Sequence, residues 1–278
     1  MSKRSAWVKV LYLAGFSIWG ATAAVRAGVP LNGLEGEGGV AFNPLAYTAG
    51  SPIENSPFSK PQFGTWYVHL PYKERTHIDW TTAGVAETLF SRLELSYGYE
   101  VVALSGLDDI QQYNLGAKVL LLKENAGGSN AVPAVSAGVV SKRITTAPAG
   151  DVASKAPDYY AVATKLIKEA PRPILLSAGV LSTRGRTLGV LGFDKDRKTT
   201  YFGNLDVLPV GNAAVGIEYK KGAEFSTFKN ADYWNAHLAW FVDSHLTLVA
   251  AYVNAGDKNS QTKVGLGGGT VLSVQYVF

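Results

Sequence analysis

The sequence has no cysteine, so disulfides, thiolate metal sites and cysteine nucleophiles are all excluded. It is poor in charge. Asp, Glu, Lys and Arg make up 17% of its 278 residues, against about 25% in ordinary soluble domains. Beyond residue 27 it has no apolar run approaching the roughly 20 residues that a membrane-crossing helix needs. Acidic residues are absent from residues 1–27, which hold Lys3, Arg4, Lys9 and Arg26. Residues 28–278 hold 22 basic and 22 acidic side chains, so the formal charge of +4 belongs entirely to the leader. No basic face is implied, and nucleic acid is not an expected partner. In place of charge there are 30 Gly, 11 Phe, 6 Trp and 14 Tyr, with 47% apolar residues overall. Much glycine, many aromatics and little charge predict an all-β chain that meets something less polar than water.

Residues 1–27 read as a secretory signal peptide. A basic start is followed by the uncharged stretch Val10 to Val25 and then by small residues at Ala21, Ala23, Ala24 and Ala27. Cleavage after Ala27 and cleavage after Ala23 both satisfy the small-residue rule.

Period two dominates most of the remaining chain. In FSRLELSYGYEV (90–101), Leu93, Leu95, Tyr97, Tyr99 and Val101 alternate with Arg92, Glu94, Ser96, Gly98 and Glu100. On a helix the two sets would mix; on a strand they separate onto two faces. The same separation recurs at 112–121, 213–220, 233–242, 246–252 and 65–70, with turn signals between. Segments such as 90–104 and 110–123 exceed the roughly 5–6 residues of an average soluble strand. They suit the ~9–11 residues of a tilted membrane-crossing strand. The polar face is small and mixed, as a wet or hydrogen-bonded barrel interior requires.

Candidate strands fall near 36–43, 63–71, 76–88, 90–103, 111–123, 132–143, 158–167, 173–184, 199–208, 212–221, 232–242, 245–254 and 268–278. Bacterial single-chain barrels have even strand numbers, so we expect an antiparallel up-and-down transmembrane β-barrel of about 12 strands, with 10 or 14 as alternatives. The segment 36–43 is the weakest of the set. The expected organisation is a signal peptide at 1–27, an irregular Gly/Pro-rich segment at 28–61 with one possible strand, and the barrel at 62–278. Residues 28–61 contain Pro30, Pro44, Pro52, Pro57 and Pro61, which cannot donate to a strand ladder. They are expected as a periplasmic lead, a first strand plus loop, or a segment folded into the lumen. Residues 186–198 are expected as a loop with some packing of its own.

The chain ends VLSVQYVF, with Leu272, Val274, Tyr276 and Phe278 on one face. A terminal aromatic on an alternating last strand resembles the signal that outer-membrane barrels present to their assembly machinery. Together with GLEGEGGVAFNPLAY (33–47), SRLELSYGYE (91–100), DYYAVATKL (158–166), RPILLSAGV (172–180), LGVLGFDKD (188–196) and AWFVDSHLTLVAAYVNAG (239–256), the chain resembles a Gram-negative secreted family of unknown function. That resemblance implies an outer-membrane β-barrel and supplies no catalytic residues.

Nothing in the sequence points to an enzyme, a cofactor or a metal. The histidines His69, His77, His237 and His245 form no i, i+4 pair; His237 and His245 lie on adjacent candidate strands, where they could meet near one rim. GxSxG is absent, and the Gly-rich runs near 36 and 265 lack the following helix and Lys-Ser/Thr pair of a phosphate loop. The candidate lumen residues are Arg92, Glu94, Glu100, Lys118, Glu218 and Lys220. The candidate lipid-facing or girdle residues are Trp66, Tyr97, Tyr99, Tyr219, Trp240, Tyr252, Tyr276 and Phe278. Three functions fit this reading: a passive small-solute pore in the outer membrane, a non-conducting envelope scaffold or docking barrel, or a soluble periplasmic barrel for a small apolar ligand. A lumen filled by residues 28–61 or by charge pairs would mark the second. The expected partners are outer-membrane lipid and, through Phe278, the barrel assembly machinery.

Overall fold

The computed structural model describes residues 31–72, 76–145 and 152–278. The signal-peptide reading lies outside these residues. Twelve antiparallel strands form one closed barrel. They are β1 (Gln62–Pro71), β2 (His77–Leu89), β3 (Leu93–Leu104), β4 (Ile110–Leu122), β5 (Ala134–Ile144), β6 (Lys155–Ile167), β7 (Ile174–Gly185), β8 (Phe193–Val210), β9 (Ala213–Lys220), β10 (Tyr233–Phe241), β11 (Leu246–Asn254) and β12 (Gly268–Val277). Each pairs with the next, and β12 pairs with β1 from Thr270↔His69 to Val277↔Gln62, which removes every edge. The expected 12-stranded antiparallel barrel is therefore the observed fold.

Alternation builds the two faces. Leu95, Leu115, Ile217 and Leu272 are 46%, 62%, 57% and 59% exposed on the outside, while Glu94, Ser96, Asn114, Gly116, Glu218 and Ser273 turn inward. A continuous apolar exterior of this kind belongs in a bilayer. Connections at the end carrying Pro61 and Phe278 are short turns for the most part, such as 90–92, 211–212 and 242–245. At the opposite end, 145–154, 221–232 and 255–267 are long. Short turns face the periplasm and long loops the exterior in such barrels.

Three expectations are corrected. Residues 36–43 form no barrel strand; only Gly38–Gly39 pair, with Leu31–Asn32, inside the barrel. The run 186–198 is not all loop: after a single 3-10 turn at Thr187–Gly189, β8 starts at Phe193 and runs for 18 residues. Its polar beginning, DKDRK, reads as loop because that stretch projects beyond the apolar band, where strand alternation has no apolar partner. Third, Trp66, with Val68 and Leu70, points inward: Trp66 is 1% exposed, while Phe63 and Tyr67 face out. Alternation identifies two faces but not which is inner, and on β1 the inner face packs on protein instead of water.

The core lies inside the barrel. Leu34, Ala41 and Phe42 pack with Trp66, Leu70, Trp80 and Val271, and Ala46 packs with Val140, Tyr160 and Phe202. The segment before β1 therefore fills the lumen.

Candidate functional site

A Gly/Pro-rich segment with little regular structure pairs some of its backbone groups internally, as Leu34 does with Ala41 and Val40 with Asn43, and leaves many other N–H and C=O groups unpaired. Buried, each such group costs free energy unless something answers it. Here the barrel wall answers them with side chains. Two carboxylates do most of this. Glu94 on β3 accepts N–H bonds from Gly38 at 2.8 Å and Ala49 at 2.7 Å, and pairs with Lys118 at 2.9 Å. Lys118 Nζ also donates to the Gly38 carbonyl at 2.8 Å. Glu218 on β9 accepts from the consecutive amides of Ala41, Phe42 and Asn43 at 3.1–3.2 Å. Lys220, two residues on, donates to the Phe42 carbonyl.

Neutral groups complete the grip. Asn32 N–H donates to Gln275 Oε1 at 2.9 Å, and Trp66 Nε1 donates to the Asn32 carbonyl at 2.6 Å. Ala46 N–H donates to Thr164 Oγ1 at 2.8 Å, and Ser136 Oγ donates to the Ala46 carbonyl at 2.5 Å. Thr88 Oγ1 donates to the Ala49 carbonyl at 2.6 Å. At one point the two backbones touch. Gly36, at φ +95°, lies so close to the wall that a Cβ there would sit 2.6 Å from the Tyr97 carbonyl oxygen. A Cβ on Gly98 would sit 2.3 Å from the Glu35 carbonyl oxygen.

Further charges form closed sets. Lys142 on β5 pairs with Glu35 of the segment and with Asp158 of β6, the latter at 2.7 Å. Glu100 accepts from Trp80 Nε1 at 2.8 Å, Gln112 Nε2 at 3.0 Å and Asn114. His237 sits between Asp206 Oδ1 at 2.7 Å and Asn235 Oδ1 at 2.8 Å. A charge taken out of water costs several kcal/mol unless paired and hydrogen-bonded; Lys142 with Glu35 and Asp158, and His237 with Asp206, meet that condition, whereas Glu100 is held by neutral donors alone. The loop 186–192 packs inward at the far end: the Leu188 carbonyl accepts from Lys142 and Gln112, and Val190 is buried.

Glu94, Glu100, Lys118, Glu218 and Lys220 all turn into the barrel and are buried. Arg92 does not join them. The chain reverses at Phe90 and Ser91, both in the left-handed region at φ 52° and 56°. Arg92 therefore lies in the exposed turn and donates to the Leu120 and Leu121 carbonyls. Tyr97, Tyr99, Tyr219, Trp240, Tyr252, Tyr276 and Phe278 stand on the outer surface, and Trp66 alone of the expected girdle set turns inward. His237 is buried in the lumen and His245 lies in an exposed turn bound to the Val277 carbonyl, so they do not meet. His69 and His77 do meet, around Asp79 on the outer face near one rim. Sequence reasoning missed Lys142 and Asp158 as wall charges; both have the inward parity of Val140 and Tyr160 on their strands, which was the available signal.

In fold, the barrel is similar to the KdgM porin, with a TM-score of 0.50 and 13% identity over 77% of this chain and 99% of that one. The outer membrane protein Omp33 of Acinetobacter baumannii aligns with a TM-score of 0.48 and 11% identity over 81% of this chain and 100% of that one. The architecture is that of an outer-membrane barrel. No curated protein matches the chain in sequence. A family model described as "Protein of unknown function (DUF3034)" matches residues 28–275, and the chain belongs to that family.

Proposed function

We propose that this chain is an outer-membrane barrel held shut by its own N-terminal segment, a non-conducting envelope barrel in its resting state. The observation that carries this is the grip of Glu94 and Glu218 on the backbone of residues 38–49. A passive pore needs a hydrated path, and its lining charges should face water. Here Glu94, Lys118, Glu218 and Lys220 spend hydrogen bonds on the segment, and Glu100, Asp206 and His237 bond to other side chains of the wall.

The test is conductance in a planar bilayer. Full-length protein, shown to be inserted, is expected to stay silent. The double variant Glu94→Gln/Glu218→Gln and a deletion of residues 31–50 are expected to give discrete steps. Spontaneous stepping by the unaltered protein would overturn the closed reading and favour the passive pore.

A second reading, a gated channel, is favoured by one feature. The segment is tied to the wall almost wholly through side chains, not through a strand ladder, so it can leave without unzipping the barrel. The bilayer trace of the unaltered protein under an applied potential separates the two, since only the gated channel opens reversibly.

Assembly is proposed to begin at β12. Phe278 is 57% exposed beside Tyr276, at the open end of the last strand. Deleting Phe278 should lower the amount of inserted barrel in cells while leaving refolding in detergent unchanged. Unchanged insertion would remove this role.

A further inference from the structure

Among the described residues, one patch of the outer surface gathers cations that form no ion pair with their neighbours. Arg143 on β5 and Lys155 on β6 are direct cross-strand partners, and both are exposed. Like charges opposite each other on a sheet repel, and among the described residues neither forms an ion pair. A third cation is drawn to the same place. Arg197 of β8 reaches across β7, donating to the Ser182 carbonyl at 2.7 Å and to the Pro157 carbonyl of β6 at 2.8 Å. Its guanidinium lies 4.9 Å from the centre of the Tyr159 ring, also on β6. On the other flank, Arg143 pairs in register with Tyr113 of β4. Three cations therefore converge on the start of β6, framed by two outward tyrosines.

The position in the bilayer says what would meet them. Arg143 and Lys155 flank the connection 145–154, at the end with the long loops. With the long loops taken to face the exterior, they fall toward the headgroups of the outer leaflet. Water and counterions weaken their mutual repulsion without removing it. A phosphate relieves it and matches the paired N–H donors of Arg143, while Arg197, whose terminal nitrogens already donate to Ser182 and Pro157, adds its charge. The tyrosine faces beside them suit the sugar and the first carbons of an acyl chain.

We propose that this patch binds the phosphorylated headgroup of an outer-leaflet glycolipid. The proposal rests on the outer-membrane placement and is independent of whether the lumen is closed. It is tested on the full barrel in neutral detergent by native mass spectrometry with lipid A, a glycolipid bearing phosphate monoesters. The unaltered barrel should retain lipid A and release its dephosphorylated form. Retention should fall about fivefold for each cation removed in the series Lys155→Gln, then Arg143→Gln, then Arg197→Gln. Folding of each variant is read from the mobility difference between unheated and boiled protein. Equal retention by folded variants would overturn the proposal. So would equal retention of the dephosphorylated lipid by the unaltered barrel, which needs no variant to fold, or displacement of lipid A by equimolar inorganic phosphate. Failure of the unaltered protein to enter bilayers at all would instead count against the outer-membrane placement.

Discussion

Glu94 and Glu218 differ from ordinary buried carboxylates in what they bind. Neither is neutralised by a cation alone; each accepts backbone amides of a segment that has nothing else to offer them. This makes each one a fixed point for the segment and not for the wall, whose ladder is complete without it. Gly98 has the converse role, since its value is the absence of a side chain. Replacing it by valine would place Cβ against the Glu35 carbonyl, where backbone meets backbone and neither can give way. Gly98→Val should therefore leave a heat-modifiable barrel but unseat the segment, seen as a rise in conductance. A silent, folded variant would show that the close approach is dispensable. Single residues also limit what a sequence reveals. Trp66 was legible as a member of an apolar face, yet its inward direction depends on Asn32, 34 positions earlier, accepting its indole N–H. No local pattern records that.

Among the elements, the strands were readable and the filling was not. Each strand repeats one rule, apolar to lipid and small or polar inward, so its period survives in the sequence. The residues missed at the start of β8 lie where that rule lapses, outside the apolar band. Residues 31–60 follow no period at all, because their shape is set by the wall that surrounds them. Their prolines and glycines marked them as mostly irregular, and left a periplasmic lead, a first strand plus loop and a segment in the lumen all open. The outward rule itself can be tested at Ile217, which is 57% exposed on β9 opposite Leu205 and Ala236. Ile217→Arg should destabilise the inserted barrel by about 2–4 kcal/mol if it lies near mid-membrane, measured by reversible folding into liposomes. A loss under roughly 0.5 kcal/mol would place Ile217 outside the apolar band or reverse the face assignment.

For the whole molecule, the seam matters most. Asn32 touches both strands that close the barrel: its amide binds Gln275 of β12, 243 positions away in sequence, and its carbonyl binds Trp66 of β1. A ring of strands can be completed only once, by bringing its first and last members together. Because Asn32 is bonded to both, closure on a seated segment gains three hydrogen bonds that closure on an empty ring lacks. On the proposed closed reading, the segment is a mandrel as much as a stopper. It precedes every barrel strand in the chain, so it is made before them, and it gives the last strand a surface to find before the first strand is reached.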